Sequence, residues 1–406
     1  MQISKPATGF FPVIKLALCN GLGISSAVIS VTAAALVARQ VGWGGAMATV
    51  PYGMQFLALL LATYPSAQLM KRFGRKPIFL IAALCGVIGG LLGFLAVKTA
   101  DPLILCLAHI ALGINLANAN FYRFAALEVA HPAKRASAMS LVVFGGTFAA
   151  IVGPILSRKP IFSPDLFISA YLGIAALSFA IVLLIGTTHL PRAEKAPAKF
   201  GGAEIKAALK VPQIALGMAF AAVGYGAMNL LMIASSLTLD HLGCLYTEIS
   251  VTIQWHVLAM FLPSLVMGRI IANIGGLTVT LAGAILLIAS CIVSALNPLS
   301  IPVIKLCLIA LGVGWNMTYV GGSYLVGANA PEEHALSVQA INDVSIGVFA
   351  MLGAFLPGLI TATMGWAGAN LLVVAIILPV ALAGAVVMRK KPASEPANTA
   401  IASHGR

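Results

Sequence analysis

Three ionisable side chains lie inside long apolar stretches of the sequence, and each suggests a different chemistry. Arg123, His256 and Asp343 stand well away from the ends of these stretches. An ion at a helix centre in lipid costs about 3 kcal/mol on insertion scales, so such groups are candidate functional residues. Asp343 is the deepest acid, which makes it a candidate proton carrier, and His256 could titrate near neutral pH. Arg123 is a candidate anchor for an anionic or polar solute, or part of a gate.

Each of these three residues also has a purely structural interpretation. Arg123 and Asp343 could each belong to an ion pair that packs helices together, and His256 could be a neutral packing histidine. Lys15 and Lys305 lie near the ends of apolar stretches, where their ammonium groups can reach the membrane surface. The sequence alone leaves both interpretations open.

Amide and aromatic side chains recur in the same apolar stretches. Bonding between helices explains any one of these amides on its own, because an amide in lipid needs a partner. Together they predict a largely uncharged pocket, which suits a planar, hydrogen-bonding solute better than an inorganic ion. With Arg123, the candidate solute-binding residues are Tyr52, Gln55, Asn118, Tyr122, Tyr225, Asn229, Gln254, Trp255, Trp315 and Asn316.

The composition places this chain in a membrane. Apolar residues make up 60% of the 406 residues and charged residues only 9%, whereas a soluble domain has about a quarter charged residues. The apolar runs are too long and too uniform for barrel strands, so we expect an all-α membrane protein with helical spans. The twelve predicted spans cover about 11–37, 44–70, 78–98, 102–130, 137–157, 167–189, 213–238, 247–268, 277–297, 300–328, 337–362 and 365–388.

The cations predict how the chain is oriented. Of the 24 Lys and Arg residues, 17 fall in the termini and alternate loops on one side of the predicted spans. Positive loops stay in the cytoplasm, so both termini and the 190–212 loop are expected there, in a multi-pass protein of the cell inner membrane. Cations scattered over short loops also argue against a nucleic-acid partner, despite the net charge of +13.

The two halves of the sequence resemble each other. "IALG" occurs at 110–113 and again at 309–312, and "AQLMKRFG" at 67–74 lies opposite "GRIIANIG" at 268–275. Similar offsets near 200 residues favour a duplicated unit. We therefore predict two pseudo-symmetric six-helix bundles at 1–189 and 213–388, a cytoplasmic linker at 190–212 and a cytoplasmic tail at 389–406. Repeats of this kind are common in secondary transporters, with a solute site between them.

The basic loop "LMKRFGRKPIF" at 69–79 resembles a motif of the major facilitator superfamily. The family's loop between helices 2 and 3 reads roughly Gly-x-Leu-x-Asp-Arg-x-Gly-Arg-Lys, and "AALEVAHPAKRASAMSL" is similar to its acid-Pro-Arg pattern at the end of span four. The resemblance implies twelve helices, alternating access, and a cytoplasmic gate in which loop cations pair with acids at nearby helix ends. The matching gate residues are Lys71, Arg72, Gly74, Arg75, Lys76, Glu128 and Arg135.

This chain departs from the family pattern at three places. Lys71 replaces the loop Asp, so Glu128 becomes the expected partner of Arg72 or Arg75. His109 stands where an Arg is frequent in span four, and the glycine pattern of span five is reduced. All three departures weaken the hypothesis of a proton-antiporting drug pump.

The sequence therefore favours a carrier that moves a small organic solute by alternating access. Several stretches resemble a proteobacterial branch of permeases, which suggests riboflavin uptake, since amides and rings suit an isoalloxazine. The alternative is proton-coupled efflux of drugs or metabolites. An integral-membrane enzyme is disfavoured, because no nucleophile–base pair, metal-ligand spacing or phosphate-binding glycine loop is apparent. A receptor is disfavoured because it would usually need a signalling domain, and the tail "ASEPANTAIASHGR" is too short to form one. No cofactor or metal is expected. The expected partners are a small-molecule substrate, the lipid bilayer and candidate coupling protons, in a monomer.

Overall fold

The computed structural model describes residues 10–131, 135–190, 209–331 and 335–390, and the regular structure in these ranges is helical. A short 3₁₀ helix, Gly45–Thr49, precedes the second long helix. The α-helices are α1 Phe10–Gln40, α2 Val50–Phe73, α3 Arg75–Thr99, α4 Pro102–Ala119, α5 Tyr122–Val129, α6 Arg135–Arg158, α7 Leu166–Gly186, α8 Pro212–His241, α9 Tyr246–Phe261, α10 Ser264–Ile274, α11 Gly276–Leu296, α12 Ile301–Asn329, α13 Ala335–Phe355 and α14 Pro357–Lys390.

These helices follow the predicted spans. Ten helical stretches in the described residues are long and apolar enough to cross a membrane, with α4 and α5 forming one stretch and α9 and α10 another. The fifth predicted span corresponds to α6. The eleventh predicted span covers α13 and the start of α14. The expectation of an all-helical membrane protein is confirmed, while most of the predicted linker and tail lies outside the described residues.

Glycine and proline determine where the helices break. Gly74 separates α2 from α3 with φ 88°, and Gly275 separates α10 from α11 with φ 84°, a region that favours glycine. Pro263 lies between α9 and α10, where its ring prevents a regular helix from continuing. Within α14 the backbone is non-helical at Gly365, so helical segments 357–364 and 366–390 meet there.

The helices pack as two groups. In the first, α1 packs on α6 and α7, α3 on α4 and α7, and α2 on α4; in the second, α8 packs on α12, α13 and α14, α11 on α12 and α14, and α9 on α12. Glycines allow the close approaches, as where Gly21 of α1 meets the backbone of Gly145 in α6. Contacts between the groups involve mainly α6 with α9, α2 with α13, and α14 with the 3₁₀ helix.

Equivalent hydrogen bonds recur in the two groups. Asn20 Nδ2 of α1 donates to the Val142 carbonyl of α6 at 2.8 Å, and Asn229 Nδ2 of α8 donates to the Ala350 carbonyl of α13 at 2.8 Å. In each group, therefore, an asparagine of the first long helix ties it to the fifth span of that group. These bonds satisfy the amides inside lipid and hold the helices in register.

A second equivalent pair joins the second and fourth spans of each group. Asn118 Nδ2 donates to Ser66 Oγ at 3.0 Å, and Asn316 Nδ2 donates to Ser264 Oγ at 2.6 Å. The two asparagines are 198 residues apart, and so are the two serines. The amide donors of Asn118, Asn229 and Asn316 are thus engaged in packing between helices, the structural interpretation that the sequence left open.

We name the two ends of the helix array by residues that lie there. The Arg75 end contains the α2–α3 junction, the last turn of α5 and the last turn of α7. The Arg39 end contains the last turns of α1, α6 and α8 and the first turn of α9. Successive spans run in opposite directions between these two ends.

Candidate functional site

An aromatic cluster lies where α8, α9 and α12 face the first group of helices. Trp315 and Tyr319, one turn apart on α12, stack with ring centroids 5.0 Å apart and planes 11° apart. Tyr225 of α8 meets both rings edge to face, at 5.7 Å from Trp315 and 5.9 Å from Tyr319. Phe261 of α9 completes the cluster at 6.0 Å from Trp315. Stacked and edge-to-face rings of this kind form a rigid apolar surface.

Side chains of the first group cover one side of this aromatic cluster. Tyr52 of α2 is buried and packs in the same apolar core as Tyr225 and Trp315, together with Val28 of α1 and Ala150 of α6. Two predicted solute-binding residues from the second group therefore share one apolar core with Tyr52 from the first. The aromatic cluster lies at the interface between the two groups of helices.

Arg123 and Asp343 face each other across the same interface. Arg123 Nη2 lies 3.7 Å from Asp343 Oδ2, and their side chains are 30% and 54% exposed. The pair is six residues from the end of α5 and eight from the start of α13, or about 9–12 Å from the Arg75 end. Tyr319 is near enough to interact electrostatically with both charges. The structure thus brings the predicted anchor and the predicted proton carrier together as one ion pair.

Polar atoms near this pair retain unused hydrogen-bonding capacity. Within the described residues, Arg123 Nε, Asn342 Oδ1 and Trp315 Nε1 are buried and have no hydrogen-bond partner. Asp343 Oδ1 receives only a long contact of 3.4 Å from Asn342 Nδ2. Buried polar atoms are normally paired, so these atoms are candidates for contact with water or a polar ligand.

Gln55 belongs to a closed network inside the first group. Its Oε1 accepts a hydrogen bond from Ser30 Oγ at 2.6 Å and lies 2.8 Å from His109 Nδ1, while His109 Nε2 lies 2.9 Å from the Tyr171 hydroxyl. An amide oxygen can only accept, so His109 Nδ1 donates and its Nε2 accepts from Tyr171. The network joins α1, α2, α4 and α7, and both polar atoms of His109 are used in it.

His256 is buried and tied to the second group. Its Nδ1 donates to the Leu308 carbonyl of α12 at 2.6 Å, and its Nε2 has no partner in the described part of the chain.

Two small cavities, one in each group and each about 10 Å³, hold no more than one water molecule. They are far too small for an organic solute.

Three of the predicted solute-binding residues lie away from the aromatic cluster. Trp255 is 58% exposed on the outer surface of α9. Tyr122 is fully buried in the core at the Arg75 end, with its ring 4.8 Å from Phe79. Gln254 Oε1 accepts a bond of 2.5 Å from Arg158 of α6. The structure does not bring these three together with Trp315.

Gln254 is part of a set of contacts that joins the two groups at the Arg39 end. Arg39 pairs with Asp240, and Ser157 hydrogen-bonds Tyr246. Ser250 Oγ donates to the Pro154 carbonyl at 3.1 Å. Thr49 Oγ1 donates to the Phe355 carbonyl at 2.7 Å and accepts from the Gly358 N–H at 3.1 Å. We call these contacts the Arg39-end closure.

The basic loop at the Arg75 end bonds within the first group. Arg75 forms two hydrogen bonds with Glu128, Nε to Oε2 at 2.8 Å and Nη2 to Oε1 at 2.6 Å, so Glu128 has one of its two expected partners. Lys76 Nζ donates to the Gly186 carbonyl at 2.7 Å, and Arg72 lies over the Phe73 ring. The side chains of Lys71 and Arg135 lie outside the described residues.

Sequence reasoning did not select Phe261, Arg39 or Asp240. Phe261 looks like any apolar residue of a span, and only its contact with Trp315 reveals it. Arg39 and Asp240 are 201 residues apart, the same spacing as Gly74 and Gly275. The spacing of the internal repeat therefore predicts that Arg39 and Asp240 lie at equivalent helix ends.

Many helical spans, with polar and aromatic side chains between two groups of helices, are typical of membrane transporters. The sequence profile described as Major Facilitator Superfamily matches residues 16–243. The chain is 30% identical over 387 residues to the riboflavin transporter RfnT of Brucella anthropi, covering 94% of this chain and 96% of that protein. The chain belongs to the Major Facilitator Superfamily.

Other similarities agree with this family. An uncharacterised MFS-type transporter of Bacillus subtilis, YddS, is 26% identical, over 84% of this chain and 82% of that one. The nucleoside transporter NupG has a solved structure with a TM-score of 0.72 at 16% identity, covering 92% of this chain and 99% of NupG. A bacterial homologue of the lysosomal transporter Spinster gives a TM-score of 0.71 at 14% identity, covering 96% and 98%. These structures support the fold.

Proposed function

We propose that this transporter carries riboflavin, or a solute with the same planar ring system, by alternating access. The observation that supports this most directly is its similarity to a riboflavin transporter over nearly the full length of both chains. The aromatic cluster of Tyr225, Phe261, Trp315 and Tyr319 offers ring surfaces on which an isoalloxazine can stack. The nearby Arg123–Asp343 pair supplies polar contacts beside it.

The proposed architecture is a pair of pseudo-symmetric six-helix bundles, at 1–189 and 213–388, joined by a linker at 190–212 and followed by a tail at 389–406. The equivalent bonds of Asn20 and Asn229, and of Asn118 and Asn316, support it. We further propose that the protein is a monomer of the inner membrane with the Arg75 end and both termini in the cytoplasm, as the loop cations predict.

Uptake into liposomes tests the proposed substrate. Purified protein in liposomes should take up radiolabelled riboflavin and release it when excess unlabelled riboflavin is placed outside. Trp315→Ala should lower uptake about fivefold or more, because a stacked ring contributes about 1 kcal/mol beyond its buried area. Trp255→Ala is the matched control, since that ring lies on the outer surface. Uptake no greater than in empty liposomes would refute riboflavin as the substrate.

Proton-coupled efflux of drugs or metabolites is the second candidate function. The observation that favours it is Asp343, an acid within a predicted span whose side chain is 54% exposed between the two groups. A carboxylate in such a place can take up and release protons during a transport cycle. The closure of the Arg39 end would then leave Asp343 accessible from the Arg75 end in this conformation.

The Asp343→Asn variant distinguishes proton coupling from uncoupled transport. Under proton coupling, it should abolish transport driven by a pH gradient and leave exchange of labelled for unlabelled solute intact. A variant that still concentrates solute against a gradient would remove Asp343 as the coupling group. Glu248→Gln serves as a control, because Glu248 lies at the exposed start of α9 and its carboxylate bonds only the Leu245 N–H among the described residues.

A further inference from the structure

The geometry points to the Arg123–Asp343 pair as a recognition site for a neutral cyclic imide, a ring edge with an N–H group between two carbonyls. This inference rests on the proposed function and deepens it, because the isoalloxazine ring ends in such an edge. Arg123 would donate to a carbonyl oxygen of the ring, and Asp343 would accept from the ring N–H. Both contacts are hydrogen bonds to a charged group, which are stronger than neutral ones.

Arg123 and Asp343 are far enough apart for each to bond the solute instead of the other. At 3.7 Å, Nη2 of Arg123 and Oδ2 of Asp343 are too far apart for a good hydrogen bond to each other. The guanidinium also keeps its buried Nε without a partner in the described part of the chain. Donor and acceptor therefore stand side by side, as an imide edge requires, since its N–H and C=O groups are on adjacent ring atoms.

Tyr319 links the pair to the aromatic cluster. Tyr319 interacts with both charges and stacks on Trp315, one turn further along α12 towards the Arg39 end. A planar solute lying along these two rings would reach the pair with one edge. The aromatic cluster would then recognise the faces of the ring, and the ion pair would recognise its polar edge.

The charges of the pair also define what it excludes. Asp343 would repel an anionic ring edge, and Arg123 would repel a cationic one. Either ligand would therefore place two like charges next to each other. A neutral edge with an adjacent donor and acceptor satisfies both groups without a net charge. A hydrophobic ring without polar atoms would leave both groups unsatisfied, which is costly at a partly buried site.

The binding of riboflavin and its N3-methyl analogue tests this inference. Methylation replaces the imide N–H and leaves the ring faces and both carbonyls in place. We expect the unmodified protein to bind riboflavin at least about tenfold more tightly than the N3-methyl analogue. A fully buried site would discriminate more strongly, but this pair is partly exposed. In Asp343→Ala the ratio of the two dissociation constants, measured by quenching of flavin fluorescence, should fall to about one.

Control variants separate recognition from folding. Asp101 caps α4 at the surface through bonds to the Leu103 and Ile104 N–H groups, and Asn caps equally well, so Asp101→Asn should keep the full ratio. If Asp343→Ala does not fold, Arg123→Met with Asp343→Leu removes both charges together, and the ratio should again approach one. Size-exclusion profiles and melting temperatures report folding independently.

The possible results distinguish this inference from the proposed function. Equal affinity of the unmodified protein for both flavins would overturn imide recognition and leave riboflavin transport standing. So would an unchanged ratio in Asp343→Ala or in the double variant. No riboflavin binding or uptake by the unmodified protein would overturn riboflavin as the substrate, and recognition of its imide edge with it.

Discussion

The two ends of this transporter are held together in different ways. At the Arg39 end, the Arg39-end closure joins one group of helices to the other, through Arg39–Asp240, Ser157–Tyr246 and Arg158–Gln254. At the Arg75 end, the bonds of the basic loop stay within the first group, as in Arg75–Glu128 and Lys76–Gly186. Towards that end, the two groups meet at the long ion pair of Arg123 and Asp343.

This difference assigns separate tasks to the two sets of contacts. Under the proposed alternating access, bonds that cross between groups must break when the groups move apart, so the Arg39-end closure would change with the transport cycle. Bonds within a group move with it, so Arg75–Glu128 can persist through the same motion. The conformation described here has the Arg39 end closed and the Arg123–Asp343 pair partly exposed.

The largest effect is expected from a covalent bond across the Arg39 end. In a variant without the six native cysteines, Arg39→Cys and Asp240→Cys should be joined by a short, cleavable bifunctional thiol reagent. Uptake should then stop, because the two groups can no longer separate there, and cleavage of the reagent should restore it. Initial rates of labelled riboflavin uptake, before and after reagent and reductant, measure the effect.

The same chemistry within one group provides the control. Lys76→Cys with Gly186→Cys places two thiols at the ends of α3 and α7, and a side chain at Gly186 meets nothing within 4 Å. Bridging this pair should leave uptake close to that of the untreated protein. Full uptake after bridging at positions 39 and 240 would contradict the assignment of that end as the moving closure.

A moderate effect is expected from removing the charge of Glu128. The Arg75 side chain is only 14% exposed, so Glu128→Gln leaves a largely buried guanidinium without its carboxylate. Loss of such a charged hydrogen-bonded pair costs about 1–3 kcal/mol, which should lower the melting temperature by several degrees and uptake several-fold. Thermal melts in detergent and uptake in liposomes give the two values.

Comparison with the Arg39 end sharpens the Glu128 experiment. A cysteine at position 39 should react with a water-soluble maleimide at the same rate whether or not Glu128→Gln is also present, because Arg75–Glu128 does not join the two groups. The double variant Arg75→Gln, Glu128→Gln should be more stable than Glu128→Gln alone, since no unpaired charge remains. A large rise in labelling at position 39 in Glu128→Gln would show that the two ends are coupled through this pair.

The fold was largely predictable from the sequence because lipid constrains it strongly. Long apolar runs in a bilayer must be helices, and the predicted spans coincide with the observed helices. The breaks inside spans were harder to see. Pro263 gives a reason for the break between α9 and α10, but α4 and α5 separate around Asn120 and Phe121 with neither proline nor glycine there.

The site was only partly predictable, because composition does not say where a side chain points. Trp255 and Trp315 are both tryptophans of apolar spans, yet one is 58% and the other 4% exposed. Asn118 and Asn316 look like ligands of a polar solute, but their amide donors bond neighbouring helices. The pairing of Arg123 with Asp343 depends on how two helices of different groups face each other, which spacing along the chain does not encode.

The smallest effect is expected from neutralising the exposed ion pair at the Arg39 end. Arg39 and Asp240 side chains are 40% and 37% exposed, and exposed pairs contribute about 0.2–1 kcal/mol. Asp240→Asn should therefore change uptake less than about fivefold, while Tyr246→Phe, which removes a hydroxyl from the contact with Ser157, should have at least as large an effect. Initial uptake rates at low and high salt measure this, and salt should weaken the unmodified pair but not the Asn variant.

A loss above tenfold in Asp240→Asn would show that closure depends on this one pair. The expected small loss contrasts with the complete arrest that is expected when the same two positions are bridged. Together, these two results would show that closure is shared among the contacts of α6, α9 and the 3₁₀ helix.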